Sequence, residues 1–147
     1  MNPEKHKISA QITIQKSLAG DGRRFTVFNC AVDGINSGDQ IVAENFINSL
    51  KKDGFYYLLQ GECGEAGCCG SVMKVRNTKD VIIWEKSYRS VGLGLGDDEP
   101  EMDTELKELT LYGDKKIQFP IAFDRIEYEM LAVKLAEIEQ TTKKDTK

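Results

Sequence analysis

The chain has 147 residues, 40% of them hydrophobic, which is enough for one domain with its own apolar core. Twenty Lys and Arg against 24 Asp and Glu give a formal net charge of -4, with no basic stripe to follow a phosphate backbone, so we expect no nucleic-acid partner. No stretch approaches the ~20 apolar residues of a membrane-spanning helix, and the N-terminus lacks the apolar run of a signal peptide. We therefore expect a cytoplasmic protein with no membrane partner.

Two antiparallel strands are predicted near the N-terminus. Residues 8–15 alternate apolar and polar side chains with period two, as a strand with one buried face does. Asp21-Gly22 marks a turn, and residues 24–32 alternate again. Cys30 shares a face with apolar neighbours in this second strand, so we predict that its side chain points into the core.

A loop and a helix follow. Residues 33–39 are predicted as a loop, and residues 41–52 as an amphipathic helix with Val42, Phe46 and Leu50 at helical spacing. Two lysines and a glycine after the apolar residues are typical of a helix C-terminus.

The middle of the chain predicts three more strands. Residues 55–60 are apolar or aromatic on both faces, which indicates a central strand. Residues 71–76 and 80–90 form two further strands around a short polar turn. The segment 61–70 must then connect two strands of one sheet.

The C-terminal part begins with the acidic segment 91–105, which we predict as a flexible loop. After two short apolar segments, Asp124 and Glu127 form a capping-box pair that opens a helix over about 124–140. Its predicted apolar stripe consists of Tyr128, Leu131, Leu135 and Ile138, widened by Ile126, Met130 and Val133. The sequence thus predicts one α+β domain over residues 1–147, with an antiparallel sheet of about five or six strands and two principal helices.

The connecting segment reads GECGEAGCCG and has glycine at every third position: Gly61, Gly64, Gly67 and Gly70. Glycine loses the most backbone entropy on folding, so this density indicates a backbone path that side chains would forbid. We predict a structural connection in which glycines supply positive φ angles and small cysteines fill the space beneath the turn.

The cysteines of this segment leave two alternatives open. We expect no cofactor. The alternative is zinc, because Cys63 and Cys68 are separated by four residues and Cys69 supplies a third thiol. A structural zinc site needs a fourth ligand, for which Cys30, His6 or a carboxylate remain. The second alternative is a thiol-redox protein.

The sequence does not predict an enzyme. No nucleophile with a base, cofactor motif or complete metal site can be assembled from these residues. His6 is the sole histidine and lies in a charged stretch, and the glycines lead into a strand rather than into a phosphate-binding helix. The candidate binding residues are instead those of the acidic segment, Asp97, Asp98, Glu99 and Glu101, whose field would attract a basic protein partner.

The stretch YYLLQGECGEAGCCGSVMKVRNTKDVIIWE resembles a group of uncharacterised bacterial proteins. In that group a strand ends in Cys-x-Cys-Gly-x-x-Gly-Cys-x-Gly and is followed by a valine-rich hairpin with a Trp. This chain matches at Cys63, Gly64, Gly67, Cys68, Gly70 and Trp84. It departs at Gly61, where the pattern has its first cysteine, and Cys69 occupies a variable position. Over about residues 25–90, the resemblance implies a binding protein of the immunity or antitoxin type, with a toxin as its partner.

Overall fold

The computed structural model describes residues 5–6, 8–18, 24–60, 70–90 and 102–144. These residues form an α+β fold, as predicted, with a curled and largely antiparallel sheet and two helices. The helices are α1 (Ala43–Asn48) and α2 (Arg125–Lys144). The strands are β1 (Lys5–His6), β2 (Ile8–Leu18), β3 (Arg24–Val32), β4 (Ile35–Val42), β5 (Gly54–Gln60), β6 (Ser71–Asn77), β7 (Val81–Ser90), β8 (Met102–Leu106), β9 (Glu108–Thr110), β10 (Lys116–Gln118) and β11 (Ile121–Asp124).

The main sheet has the order β1-β11-β7-β6-β5-β4-β3-β2, with β8 also paired to β7. Its neighbours are antiparallel except β1 and β11, which are parallel. The N-terminal stretch pairs with β11 through β1 and, one residue later, with β3 through β2. The sheet therefore curls until its two ends meet at the N-terminal stretch. Its nine strands exceed the predicted five or six because β1, β4, β8 and β11 were not predicted as strands.

The predicted loop 33–39 is wrong, because most of it is strand β4. Asp33 and Gly34 have φ angles of 53° and 80°, which is the two-residue hairpin turn with positive φ at both central positions. The pairing register shifts between Asn29 and Ala31, so β4 bulges opposite Cys30. Ser37 closes this bulge: its Oγ donates to the Cys30 carbonyl at 3.0 Å and accepts from the Asp39 amide at 3.1 Å.

Helix α1 is shorter than the predicted 41–52. Val42 belongs to β4, and the α-helical hydrogen bonds end at the Ser49 amide, which donates to the Asn45 carbonyl at 3.0 Å. The next amides bond three residues back, and Ser49 Oγ donates to the Phe46 carbonyl at 2.6 Å. This side-chain bond competes with the helical ladder and tightens the last turn. Phe46 is nevertheless buried, as its spacing predicted.

The core lies between the helices and the sheet. Tyr128 of α2 stacks on Phe46 of α1 with ring centroids 4.2 Å apart, and Trp84 meets Phe123 edge-on at 4.6 Å. The Tyr128 hydroxyl lies 2.8 Å from Ser49 Oγ and accepts from Trp84 Nε1 at 3.3 Å. These contacts join both helices to β7 and β11, and every polar atom named has a partner.

Helix α2 begins as predicted, since Asp124 Oδ2 accepts the Glu127 amide at 3.2 Å. Its core stripe is also confirmed: Tyr128, Leu131 and Leu135 are buried and Ile138 is partly buried. The predicted widening of that stripe is wrong, because Ala132 widens it instead and three large apolar residues point to solvent: Ile126, Met130 and Val133.

A small hairpin of β9 and β10 lies against the main sheet. Leu109, Leu111 and Ile117 anchor it in the same hydrophobic core. Of the segment predicted as an acidic loop, 91–105, residues 91–101 lie outside the described residues and Met102–Leu106 forms β8. Among the described helices, none is both long and apolar enough to cross a membrane.

Candidate functional site

Most of the predicted site residues lie outside the described part of the chain. In that part, no three His, Cys, Asp or Glu side chains converge on a common point. The zinc alternative depends on thiols that lie outside the described residues, so it stays a prediction. The binding role of the acidic residues stays a prediction for the same reason. The residues concerned are Gly61, Cys63, Gly64, Gly67, Cys68, Cys69, Asp97, Asp98, Glu99 and Glu101.

Gly70 is the one glycine of the connecting segment that the structure describes. It is buried directly before β6. A Cβ atom at this position would lie 2.6 Å from the Leu59 carbonyl oxygen and would also collide with the Tyr57 ring and hydroxyl. Because a backbone oxygen cannot swing aside as a flexible side chain can, this position accepts only glycine without a shift of β5.

Cys30 points into the core, as predicted, and is a free thiol. Burial raises the pKa of its thiol from 9.0 to about 12; a hydrogen bond with Ser37 lowers it and the charge of Asp39 raises it. A thiol of this kind is a poor nucleophile at neutral pH, because almost none of it is thiolate. Cys30 thus packs in the hydrophobic core of the described residues, and its thiol is neutral at physiological pH.

We expect Cys30 to resist alkylation in the folded protein. In a Cys63→Ser, Cys68→Ser, Cys69→Ser variant, iodoacetamide at about pH 8 should leave the native chain unmodified and label it fully in denaturant. Because the unfolded thiol ionises near 9 and the folded thiol only near 12, this group's contribution to stability is lost as pH rises across that interval. Mass spectrometry measures the labelling, and rapid native labelling would contradict the buried position.

A groove of about 720 Å³ opens at the N-terminal end of α2. It lies between α2 and the turn that joins β6 to β7. Its floor comes from three strands: Arg76 of β6 and Ala122 of β11 are both directly opposite Ile83 of β7. Opposed residues of antiparallel strands project from the same face of a sheet, so these side chains form one row. Ile83 and Ala122 are buried and give the floor its apolar surface.

Arg125, the first residue of α2, braces the two walls of the groove. Its Nη1 donates to the Thr78 carbonyl at 2.8 Å and its amide donates to the Asp80 carbonyl at 3.0 Å. Its Nε donates to Glu129 Oε1, also at 2.8 Å. Thr78 in turn accepts the Val81 amide on its hydroxyl at 3.1 Å. The walls are therefore preformed, as binding pockets usually are.

The rim of the groove is charged. Arg76, Lys79 and Asp80 are exposed. Within the described residues, neither Arg76 nor Lys79 takes part in an ion pair, whereas Glu129 is already paired with Arg125. Ile126 stands at the edge with 67% of its surface exposed. An apolar floor and edge inside a charged rim is the arrangement of a protein–protein interface.

The described lining of the groove consists of charged, apolar and hydroxyl side chains. None of its described lining residues is His, Cys or Ser, and the Thr78 hydroxyl is engaged in its own turn by donating to the Val81 carbonyl at 2.8 Å. No family model, curated protein or solved structure matches the chain.

The sequence predicted none of these groove residues as a site. Residues 77–79 were predicted as a turn, which the structure places one residue later because Asn77 still belongs to β6, and Asp124 was predicted as the cap that it is. The bond between Arg125 and Thr78 joins two distant parts of the chain, so no local motif could show it. The polar turn and the cap were the available signals.

Proposed function

We propose that this chain is a small binding protein that occludes a surface of a partner protein, in the manner of an immunity protein or antitoxin. The braced groove at the start of α2 is the observation that carries the proposal. Occlusion requires complementary shape and charge and no catalytic group, which is what the lining of the groove offers. The bacterial setting and the toxin as partner come from the resemblance of the connecting segment, and the cytoplasmic location from the absence of a signal-peptide pattern at the N-terminus.

The partner segment that fits this groove carries an apolar side chain next to carboxylates. The apolar side chain would pack on Ile83 and Ile126, and the carboxylates would pair with Arg76 and Lys79, which are exposed and have no ion pair in the described chain. Buried apolar anchors within a polar rim carry most of the affinity in such interfaces. The acidic segment 97–101 supplies a second contact in this proposal, to a basic region of the same partner.

The test is co-purification with the product of the adjacent gene, followed by affinity measurement of matched variants. We expect Lys79→Glu to weaken the complex about tenfold, because it turns an attraction at the rim into a repulsion. The control is Lys115→Glu, an equally charged change at an exposed lysine of the β9–β10 hairpin, which should leave affinity unchanged. Neutral amides at Asp97, Asp98, Glu99 and Glu101 should slow association and flatten its salt dependence.

Two results would count against the proposal. A complex that is indifferent to Lys79→Glu places the interface elsewhere on the chain. Absence of any complex, together with stoichiometric zinc that is lost on Cys63→Ser or Cys68→Ser, favours the metal-binding alternative in place of the binding protein.

A further inference from the structure

The outer face of α2 carries three large apolar side chains in solvent. Ile126 and Met130 are each 67% exposed and Val133 is 58% exposed. Their spacing places them on one stripe, opposite the buried Tyr128 and Leu135. Single exposed apolar residues are ordinary, but a continuous stripe of them on a helix marks an interaction surface. We call this stripe of Ile126, Met130 and Val133 the outer stripe.

Opposite charges flank the outer stripe along one edge. Glu127 and Lys134 are both exposed and lie two helical turns apart on the same side of it. Neither side chain takes part in an ion pair within the described residues. The Glu127 bond to Asp124 uses only the backbone amide. Each of these two groups is therefore available to a partner.

We propose that the outer stripe binds the outer stripe of a second copy of this chain, with the two helices antiparallel. A two-fold axis near Met130 sets the two Met130 side chains against each other and Ile126 against Val133 of the second copy. Glu127 lies almost one turn before Met130 and Lys134 about one turn after it, so the same axis brings Glu127 to Lys134 of the second copy. Two-fold symmetry makes the Ile126–Val133 and Glu127–Lys134 contacts twice and the contact between the two Met130 side chains once.

The charges that flank the outer stripe favour a second copy of the chain as its partner and an antiparallel arrangement of the two helices. In an antiparallel helix pair, flanking residues on the same edge of the two stripes face one another, which here joins a carboxylate to an ammonium group. A parallel pair would set the two Glu137 carboxylates, which continue the stripe, against each other.

The contact between the two outer stripes buries little surface, so the dimer should be weak. Three apolar side chains per copy bury less than the roughly 800 Å² per partner of a stable interface. We therefore expect a reversible dimer whose population rises with concentration from the 16.5 kDa monomer. Ile126 lies both in this contact and at the edge of the groove, so the dimer and a partner that packs on Ile126 exclude each other, whereas Arg76 and Lys79 lie outside the contact.

Sedimentation velocity of the full chain over a concentration series tests the dimer. We expect Met130→Asp to weaken it more than tenfold, because the substitution puts two carboxylates at the axis. The matched control is Tyr112→Asp, which changes another exposed large side chain, 56% exposed, outside α2. Circular dichroism and thermal unfolding of each variant verify that the fold is intact, as expected for side chains that are mostly in solvent.

A charge swap tests the antiparallel register. Glu127→Lys and Lys134→Glu alone should each weaken the dimer about tenfold, since each creates two like-charge contacts. The double variant exchanges the charges and should restore the wild-type dissociation constant. A wild-type chain that stays monomeric throughout the series overturns the proposal, as does a dimer that survives Met130→Asp. A double variant no tighter than the single ones overturns the antiparallel pairing.

Discussion

Tyr128→Ala should lower the free energy of unfolding by about 3–5 kcal/mol, the usual cost of removing a large aromatic side chain from a core. Tyr128 is fully buried and stacks on Phe46 at 4.2 Å, so truncation leaves a cavity between the two helices. It also removes the hydroxyl that accepts from Trp84 Nε1 and contacts Ser49. Denaturant unfolding followed by fluorescence of the single Trp, Trp84, measures the change.

Tyr128→Phe separates the two contributions. It keeps the ring stack and removes the hydroxyl, which leaves the buried Trp84 Nε1 without its acceptor. Ser49 keeps its bond to the Phe46 carbonyl at 2.6 Å, so only one group is orphaned and we expect a loss of about 1–3 kcal/mol. Burial also raises the pKa of Tyr128, so the hydroxyl is neutral at physiological pH. Equal losses for Phe and Ala would show that packing at this position contributes little.

Gly70→Ala is the second substitution expected to be costly, at about 1–3 kcal/mol. The new methyl group would lie 2.6 Å from the Leu59 carbonyl oxygen and as close to the Tyr57 ring, so β5 or the ring must move. The loss should appear as a lower midpoint of denaturant unfolding.

Gly54→Ala provides the control within the same strand pair. A Cβ at Gly54 meets nothing closer than the Tyr56 ring at 3.6 Å, which is an ordinary contact. We expect a change near zero, or a slight gain from the lower entropy of the unfolded chain. If Gly70→Ala proves no more costly than Gly54→Ala, the close approach between Gly70 and β5 is not maintained in solution.

The strands that were predicted accurately are those whose own residues alternate between apolar and polar or are apolar throughout. β3, β5, β6 and β7 begin and end within one residue of the predicted bounds, because local alternation or continuous apolar character set them. β4 was missed although Asp33-Gly34 is a hairpin signal, since Asn36 to Asp39 is polar throughout and bulges. β1 and β11 are too short to show a period, and their pairing is not local.

Sequence periodicity identified the core stripe of α2 but could not decide how wide the buried face is. Ile126, Met130 and Val133 have helical spacing, and so do the core residues on the opposite side. Either set alone would read as a core stripe, and only packing against α1 and the sheet separates them. The groove is hidden for a related reason, because Arg125 and Thr78 are 47 residues apart in the sequence and meet only through the pairing of β11 with β7.

Because the sheet closes at its N-terminal stretch, it can be completed only after β11 has been translated. β2 and β3 are close in sequence and can form a hairpin while the rest of the chain is still being translated, but the partner of β1 is β11, near the opposite end. Until Ile121–Asp124 has left the ribosome, β7 also lacks that neighbour and its edge there stays open to pairing with other nascent chains. Protection against such association thus arrives late, when translation of the domain is almost finished.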